Sequence, residues 1–219
     1  MLISELPSSS GESSLSKAGI RPIPNKMDWK YSQRRDMQLI LPGLYLGPLQ
    51  VACKSNLQCL LDHKISHIVC VRENMEKKFV RPNFPDTFKY LTVLVQDNPC
   101  ENIMTHFAVV NSFIDDALEN NGVILVHGNA GISRSATLVI AYVMQKFGMP
   151  SDEAYMYVRD RRFCINPNAG FLQQLKEYEP IYQAQRNIND PGTSGCGKSG
   201  LKRKMDEDMT DLDCNDNMT

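Results

Sequence analysis

Residues 126–135, with the sequence VHGNAGISRS, combine residue types and spacing that suit the binding of an anion. They lie between an apolar run and the apolar stretch 136–144, which predicts a buried strand, a short loop and a helix. The N–H groups of such a loop converge at the positive end of the helix dipole. Arg134 adds a planar guanidinium, and each charge-assisted hydrogen bond to a phosphate oxygen contributes roughly 1.5–3 kcal/mol. The stretch therefore predicts a phosphate-binding loop.

This loop is not of the nucleotide-binding kind. Counted from Gly128, the pattern GxxxxGK[ST] requires glycine at 133 and lysine at 134, where the chain has Ser133 and Arg134. His63 and His67 lie four residues apart, but no cysteine or acidic residue has the spacing of a further metal ligand. We therefore predict no metal and no cofactor.

The order of residues in the loop resembles the phosphate loop of the cysteine-dependent protein phosphatases, especially the dual-specificity branch. The signature of that family is His-Cys-x-x-Gly-x-x-Arg-Ser/Thr. His127, Gly131, Arg134 and Ser135 fall on matching positions. Gly128 stands where the family has its nucleophilic cysteine.

The resemblance continues outside the loop and covers about residues 28–187. The segment DNPCENI at 97–103 is similar to the loop that carries the family's general acid, which would be Asp97. The segment NPNAGF at 166–171 contains Asn168, which resembles a residue that supports the phosphate loop. Together, HGNAGISRS and RRFCINPNAGF look like the pseudophosphatase branch of the family, the serine/threonine/tyrosine-interacting group, which shares the glycine.

The resemblance implies a loop that has lost its chemistry. In the family, a thiolate attacks phosphorus, an acid protonates the leaving oxygen, and a phosphocysteine is then hydrolysed. Glycine supplies no nucleophile, and the loss of a nucleophile that acts as part of a unit costs about a million-fold in rate. Removal of the thiolate charge also removes its repulsion of a phosphate dianion. The residues expected to bind phosphate are Gly128, Asn129, Ala130, Gly131, Ile132, Ser133 and Arg134.

Most of the other matching residues also have an ordinary structural explanation. Asp97 precedes Asn-Pro, a common turn sequence, and Asn168 stands where it can cap a helix. Ser135 has no thiolate to stabilise, and we interpret it as an ordinary residue of a first helical turn. His127 is expected to brace the loop by hydrogen bonds. Arg134 is the exception, because packing alone hardly explains an arginine there, and anion binding is the favoured interpretation.

Three functions are compatible with these residues. The leading one is a catalytically inactive module that binds proteins carrying phosphotyrosine, phosphoserine or phosphothreonine and shields or anchors them; the resemblance suggests partners of the MAP-kinase type. The rival is an active or residually active dual-specificity phosphatase with an unrecognised nucleophile. Ser133 lies in the loop, but the sequence places no base beside it. The third is a scaffold whose partners contact the outer helices or the tails.

Length and composition bound these interpretations. The chain has 219 residues, 42% hydrophobic and 22% charged, which is ordinary for one soluble domain with tails. A net charge of -1 disfavours nucleic acid as a partner, and no apolar run is long enough to span a membrane. Seven cysteines without CxxC pairing predict reduced thiols and an intracellular protein. Composition divides the chain into a disordered segment 1–27, a phosphatase-like domain 28–187 and an acidic, disordered tail 188–219.

The pattern within the domain predicts the α/β class, as a single compact domain with a mostly parallel sheet of about five strands and helices on both faces. Short runs rich in β-branched residues predict strands at 44–46, 68–71, 90–95 and 123–126. Helical patterns occupy 50–62, 103–119, 134–147, 151–161 and 169–185, the second with Asn102 as its N-cap. The charged cluster 159–162 is expected to be a solvated helix end. The alternative is that it flanks a bound phosphopeptide. The basic residues 202–204 are a weak nuclear-entry signal, so we expect the protein in both the cytoplasm and the nucleus. We also expect it to be a monomer.

Overall fold

The structure is a computed structural model that describes residues 29–189, with side chains up to residue 186. The segment 1–27 lies outside the described residues, and so does the tail 188–219 apart from the last two residues of a helix. The basic residues 202–204 are therefore also outside the described part of the chain.

Five strands form one sheet in the order β1-β2-β5-β3-β4. Their bounds are Gln38–Leu41 for β1, Leu44–Gly47 for β2, His67–Arg72 for β3, Lys89–Leu94 for β4 and Ile124–His127 for β5. β1 pairs antiparallel with β2, and every other neighbouring pair is parallel. The predicted α/β class and mostly parallel sheet are confirmed. The edge strand β1 is the one that the pattern did not predict.

Within residues 29–189, five α-helices cover the sheet: α1 Leu57–Asp62, α2 Phe107–Glu119, α3 Arg134–Phe147, α4 Ser151–Arg161 and α5 Ala169–Asn189. None of these described helices is long and apolar enough to cross a membrane. Apolar residues of α2–α5 share one core with one sheet face, while Leu60 of α1 packs with Leu125 and Phe88 on the other. Helices on both faces are therefore confirmed.

Three details of the predicted helices are wrong. The helix expected over 50–62 is broken into the 3-10 turns Leu49–Ala52 and Lys54–Asn56 followed by α1, because Cys53 between the turns has extended backbone. The segment expected over 103–119 begins as a 3-10 turn, Ile103–His106, and becomes α-helical only at Phe107. The Asn102 side chain makes no capping hydrogen bond; its main-chain carbonyl accepts one from Thr105.

Helix α3 is the axis of the larger core. All of its first eleven residues, 134–144, are buried. It follows β5, which lies in the middle of the sheet between β2 and β3. The loop that joins β5 to α3 is therefore held at both ends by the best-packed elements of the domain.

Candidate anion-binding site

The loop between β5 and α3, residues 128–133, turns four successive carbonyl groups away from its concave side. The carbonyl oxygens of residues 129–132 accept, in that order, from Leu49 N–H, Arg162 Nη2, Arg162 Nε and Asn166 N–H. The donor–acceptor distances are 3.0, 3.1, 2.8 and 2.9 Å. Every one of these donors lies outside the loop, so the surrounding domain fixes the orientation of the loop's peptide groups.

The orientation of the carbonyls also fixes that of the N–H groups. In a trans peptide the C=O and the following N–H point in opposite directions, so the N–H groups of residues 130–133 point to the concave side. Within the described residues, no protein group accepts from these four N–H groups. Four convergent donors at the N-terminus of a well-packed helix form a site for an oxyanion.

Two glycines of the loop have opposite steric surroundings. Gly131 has φ +68, and a Cβ there would lie 2.3 Å from the carbonyl oxygen of Gly47, so no other residue fits. A Cβ at Gly128 would lie 3.3 Å from Ser135 Oγ and 3.5 Å from Val71 O, which leaves room for a side chain after a small adjustment. The absence of a side chain at 128 is therefore not required by the fold.

A buried carboxylate fixes the position of Arg134. Glu76, 5% exposed, lies in the 3-10 turn Met75–Lys78 and accepts from Arg134 Nη1 at 2.7 Å and from Nη2 at 2.9 Å. Arg134 Nη1 also donates to Val95 O at 3.3 Å. Burial favours neutral groups, but this pairing prevails: it holds the pKa of Arg134 above and that of Glu76 below the ordinary values.

The pairing with Glu76 leaves one edge of the guanidinium for a ligand. A guanidinium has five N–H donors, of which Glu76 and Val95 O take three. The other two, on Nε and Nη2, lie side by side on the edge that faces the loop's cavity. The nearest carboxylate oxygen on this edge, Asp97 Oδ2, is 3.8 Å from Nε. This two-pronged donor matches the oxygens of a phosphate.

Asp97 is tied to both sides of the cavity. Its Oδ1 accepts from Ser133 Oγ at 2.7 Å and from Asn168 Nδ2 at 2.9 Å. Asn168 also accepts from Phe171 N–H at 3.0 Å, so it caps α5 and at the same time holds Asp97. The hydroxyl of Ser133 thus has a carboxylate beside it in space that the sequence did not reveal.

The charged cluster 159–162 is not a uniformly solvated helix end. Arg162 is fully buried and supports the loop through Gly131 O and Ala130 O. It donates also to Asp36 O at 2.9 Å, to Arg34 O at 3.2 Å and to Gln38 Oε1. Burial lowers the pKa of this guanidinium from its ordinary value. A position inside a run of charges gives no sequence signal for this burial.

His127 does not brace the loop in the expected way. Its Nδ1 lies 3.4 Å from Gly128 O, a long hydrogen bond, and its Nε2 has no partner among the described residues. The side chain is fully buried, and burial lowers the pKa of His127 to about 4. It therefore supports the loop mainly as a neutral, space-filling ring.

The buried His127 predicts a pH-dependent stability. Unfolded, its imidazole takes a proton below about pH 6.5, whereas the folded imidazole stays neutral to about pH 4. The unfolded state binds more protons between these values, so the free energy of unfolding falls as pH falls. Between pH 7 and pH 5, this group should lower the free energy of unfolding by about 2 kcal/mol. Urea denaturation at the two pH values measures the change.

His127→Gln should remove the part of the pH-dependent decrease in the free energy of unfolding that His127 contributes. His67, whose pKa burial also lowers, keeps its own contribution of the same sign. The matched control is His63→Gln, which changes an exposed histidine and should leave the dependence of the free energy of unfolding on pH intact. If the free energy of unfolding of His127→Gln depends on pH as that of the native chain does, the imidazole is protonated in the folded chain as readily as in the unfolded one.

The predicted residues meet around one cavity of about 370 Å³. Its lining comprises Asp97, Asn166, Asn168 and residues 128–135, so His127 is the one predicted site residue that lies beneath it. Glu76 and Arg162 were missed: 58 residues separate Glu76 from Arg134, and no local pattern joins them. No group of three metal-ligating side chains occurs in the part of the chain that the structure describes.

Comparisons with known proteins match this geometry. Residues 44–181 match the family model described as dual specificity phosphatase, catalytic domain. The chain is 55% identical over 161 residues to the serine/threonine/tyrosine-interacting protein of Mus musculus, over 74% of this chain and 72% of that one. It is 50% identical over 190 residues to serine/threonine/tyrosine-interacting protein B of Xenopus laevis, over 83% of this chain and 85% of that one.

Solved structures agree with the sequence comparisons. The crystal structure of the human tyrosine phosphatase-like serine/threonine/tyrosine-interacting protein has a TM-score of 0.67 at 56% identity, over 68% of this chain and 99% of that one. That of DUSP15 has a TM-score of 0.61 at 34% identity, over 73% and 98%. With its phosphate-type loop, its mostly parallel sheet and these relatives, the chain belongs to the dual specificity phosphatase family.

Proposed function

We propose that the chain is a catalytically inactive pseudophosphatase that binds phosphorylated proteins through residues 128–134. The observation that carries the proposal is an ordered loop with four convergent N–H donors and a two-pronged edge of Arg134, around a position, Gly128, that has no nucleophile. No cysteine lines the described cavity. The ligands are proteins that carry phosphotyrosine, phosphoserine or phosphothreonine, which the protein shields or anchors.

Binding measurements on Arg134 test this proposal. The structure favours at least a 100-fold loss of affinity for a phosphotyrosine peptide in Arg134→Lys, because an ammonium cannot hold Glu76 bidentately and also present a two-pronged edge. The measurement is fluorescence anisotropy with a labelled phosphopeptide and its unphosphorylated form. Equal affinity of Arg134→Lys and the native chain would remove the loop from the function.

Asp97→Asn is the matched variant with the opposite sign. It keeps an oxygen for Ser133 and Asn168 but removes a negative charge that lies 3.8 Å from Arg134 Nε, where a phosphate would bind. Like charges repel strongly in a half-enclosed cavity, so the affinity for the phosphopeptide should rise several-fold. A loss in Arg134→Lys and a gain in Asp97→Asn together distinguish phosphate binding from unfolding.

A residually active phosphatase is the second candidate, and one contact favours it. The Ser133 hydroxyl donates to Asp97 at 2.7 Å, an arrangement in which a carboxylate accepts the proton of a nucleophile. We expect no turnover of an aryl phosphate by the native chain. A native rate that Ser133→Ala abolishes would support the second candidate and contradict the first.

The proposal has three further parts: the partners are of the MAP-kinase type, the protein is a monomer, and it is present in both cytoplasm and nucleus. The partner class rests on the family resemblance, and the nuclear location on the basic residues 202–204. Deletion of residues 198–219 should shift a fluorescently tagged chain toward the cytoplasm. An unchanged distribution would remove that cluster from the account.

A further inference from the structure

A second cavity lies far along α3 from the phosphate loop and shares no lining residue with it. It is a groove of about 610 Å³ between α2, the end of α3 and α5. Its apolar floor includes Phe107 and Tyr178, whose rings meet edge to face at 4.9 Å, and Ile181, 42% exposed, lies beside them. The proposed phosphate binding does not use this groove.

The charge of the groove is one-sided. Asp115, Asp116 and Glu119 of α2 line it, and none of its described lining residues is lysine, arginine or histidine. Asp115 already accepts from Lys146 Nζ at 2.6 Å and from Tyr142. Asp116 and Glu119 form no ion pair with any residue that the structure describes. The groove therefore presents two uncompensated carboxylates beside an apolar floor.

A buried acceptor in the same groove has no donor. Asn111 is 2% exposed and lines the groove. Its Nδ2 donates to Gln145 Oε1, which also accepts from Tyr178 OH at 2.7 Å. Its Oδ1 has no hydrogen-bond partner among the described residues. A buried acceptor without a donor is costly, and the enclosed Oδ1 adds a negative partial charge beneath the groove that favours a cationic ligand.

We propose that this groove is a second docking site, which takes a basic segment of a partner protein with an arginine inserted. A guanidinium is flat and has donors for the exposed carboxylates of Asp116 and Glu119. The methylene groups of the arginine and an apolar neighbour cover Ile181 and the half-buried Met104. A carboxylate or phosphate ligand is excluded here, because it would add to the negative charge.

The two sites can act on one partner. Arg134 begins α3 at the phosphate loop and Gln145, near the other end of that helix, lines the groove. A protein with a phosphorylated residue and a basic segment at matching distance can occupy both, and the second contact then forms at a high effective concentration. Binding of a basic segment in the groove does not require the phosphate loop. The proposal of this second site and the proposal of phosphate binding can therefore fail independently.

The test is a titration of the full-length chain with the labelled, capped peptide Ala-Leu-Arg-Leu-Arg-Ala and its counterpart with glutamine for arginine, followed by fluorescence anisotropy. The arginine peptide should bind at least tenfold more tightly. The double variant Asp116→Asn/Glu119→Gln should lose about tenfold in affinity for it. Asp86→Asn removes one exposed charge elsewhere on the surface and should have little effect.

Ser112→Arg gives a second variant that leaves the core untouched. Ser112 is exposed and lines the groove, so a cation there should block the arginine peptide while phosphopeptide affinity stays constant. Equal binding of the two peptides, or arginine-peptide binding that neither groove variant weakens, would overturn the proposal. A rise in affinity after deletion of residues 190–219 would assign the groove to the chain's own tail and overturn the partner as its occupant.

Discussion

Gly128→Cys is expected to hydrolyse an aryl phosphate at a measurable rate, whereas the native chain should show no turnover. The difference arises from the nucleophile alone, whose loss from a catalytic unit costs about a million-fold in rate. A new side chain at 128 meets Ser135 Oγ and Val71 O at distances that a rotation of the hydroxyl relieves. The sulfur then lies at the floor of the four N–H donors.

The surroundings of that sulfur are ready for the chemistry. Ser135 is buried beside it and can donate a hydrogen bond to a thiolate, the role that has no object in the native chain. Glu76 holds Arg134 at the cavity, where we expect it to bind the transferred phosphoryl group, and Asp97 also lines the cavity, where we expect it to act as the general acid.

Hydrolysis of p-nitrophenyl phosphate by purified protein is the measurement. Gly128→Ala is the matched control, because it adds the Cβ without the sulfur and should stay inactive. The double variant Gly128→Cys/Arg134→Lys should lose most of the new activity. A folded, inert Gly128→Cys would show that the site has lost more than its nucleophile.

Arg162→Met is expected to lower the free energy of unfolding by about 3 kcal/mol, since the buried carbonyl of Gly131 and three partly buried carbonyls lose their donor, at roughly 1–3 kcal/mol for a buried one, and water replaces only part of the lost bonds. For a domain of this size, Tm should fall by about 6–12 °C. Methionine has a similar length but no donor. Without Arg162, the peptide groups after Ala130 and Gly131 lose the bonds that aim their N–H groups into the cavity.

Phosphate affinity separates positioning from stability in this variant. At a temperature where the variant is fully folded, its affinity for a phosphopeptide should be at least tenfold below that of the native chain. Arg162→Lys, which restores one donor, should recover part of it. Arg159→Met, in the last turn of α4 and stacked on Phe163 at 5.1 Å, should leave both properties nearly unchanged. Native affinity in folded Arg162→Met would contradict a positioning role.

The sequence could predict the centre of the site because its parts are adjacent along the chain. A buried strand, a glycine loop and an apolar helix define the position of Arg134 by local pattern alone. Asp97 and Asn168 are distant in sequence, and only the family resemblance placed them near the loop. In the structure, both line the cavity, and Asn168 Nδ2 lies 2.9 Å from Asp97 Oδ1.

What the sequence did not predict depends on tertiary packing. Glu76 and Arg162 are charged residues in short polar segments, and such residues are usually solvated. Each is buried because its partners lie on other elements: Arg134 for Glu76, and carbonyl groups 31 and 32 residues away for Arg162. Strand β1 has only four residues and one paired edge, so its pattern was too short to separate from a loop.

The outward carbonyls of residues 129–132 have a kinetic and thermodynamic consequence. Since neighbouring elements already hold the loop, an incoming dianion finds its donors in place and no segment has to be ordered on arrival. Capture should then be governed by diffusion and by shedding of water from the anion, without a slow conformational step. Such a receptor would discriminate by shape and charge from the first encounter, which suits the proposed role of retaining a ligand instead of transforming it.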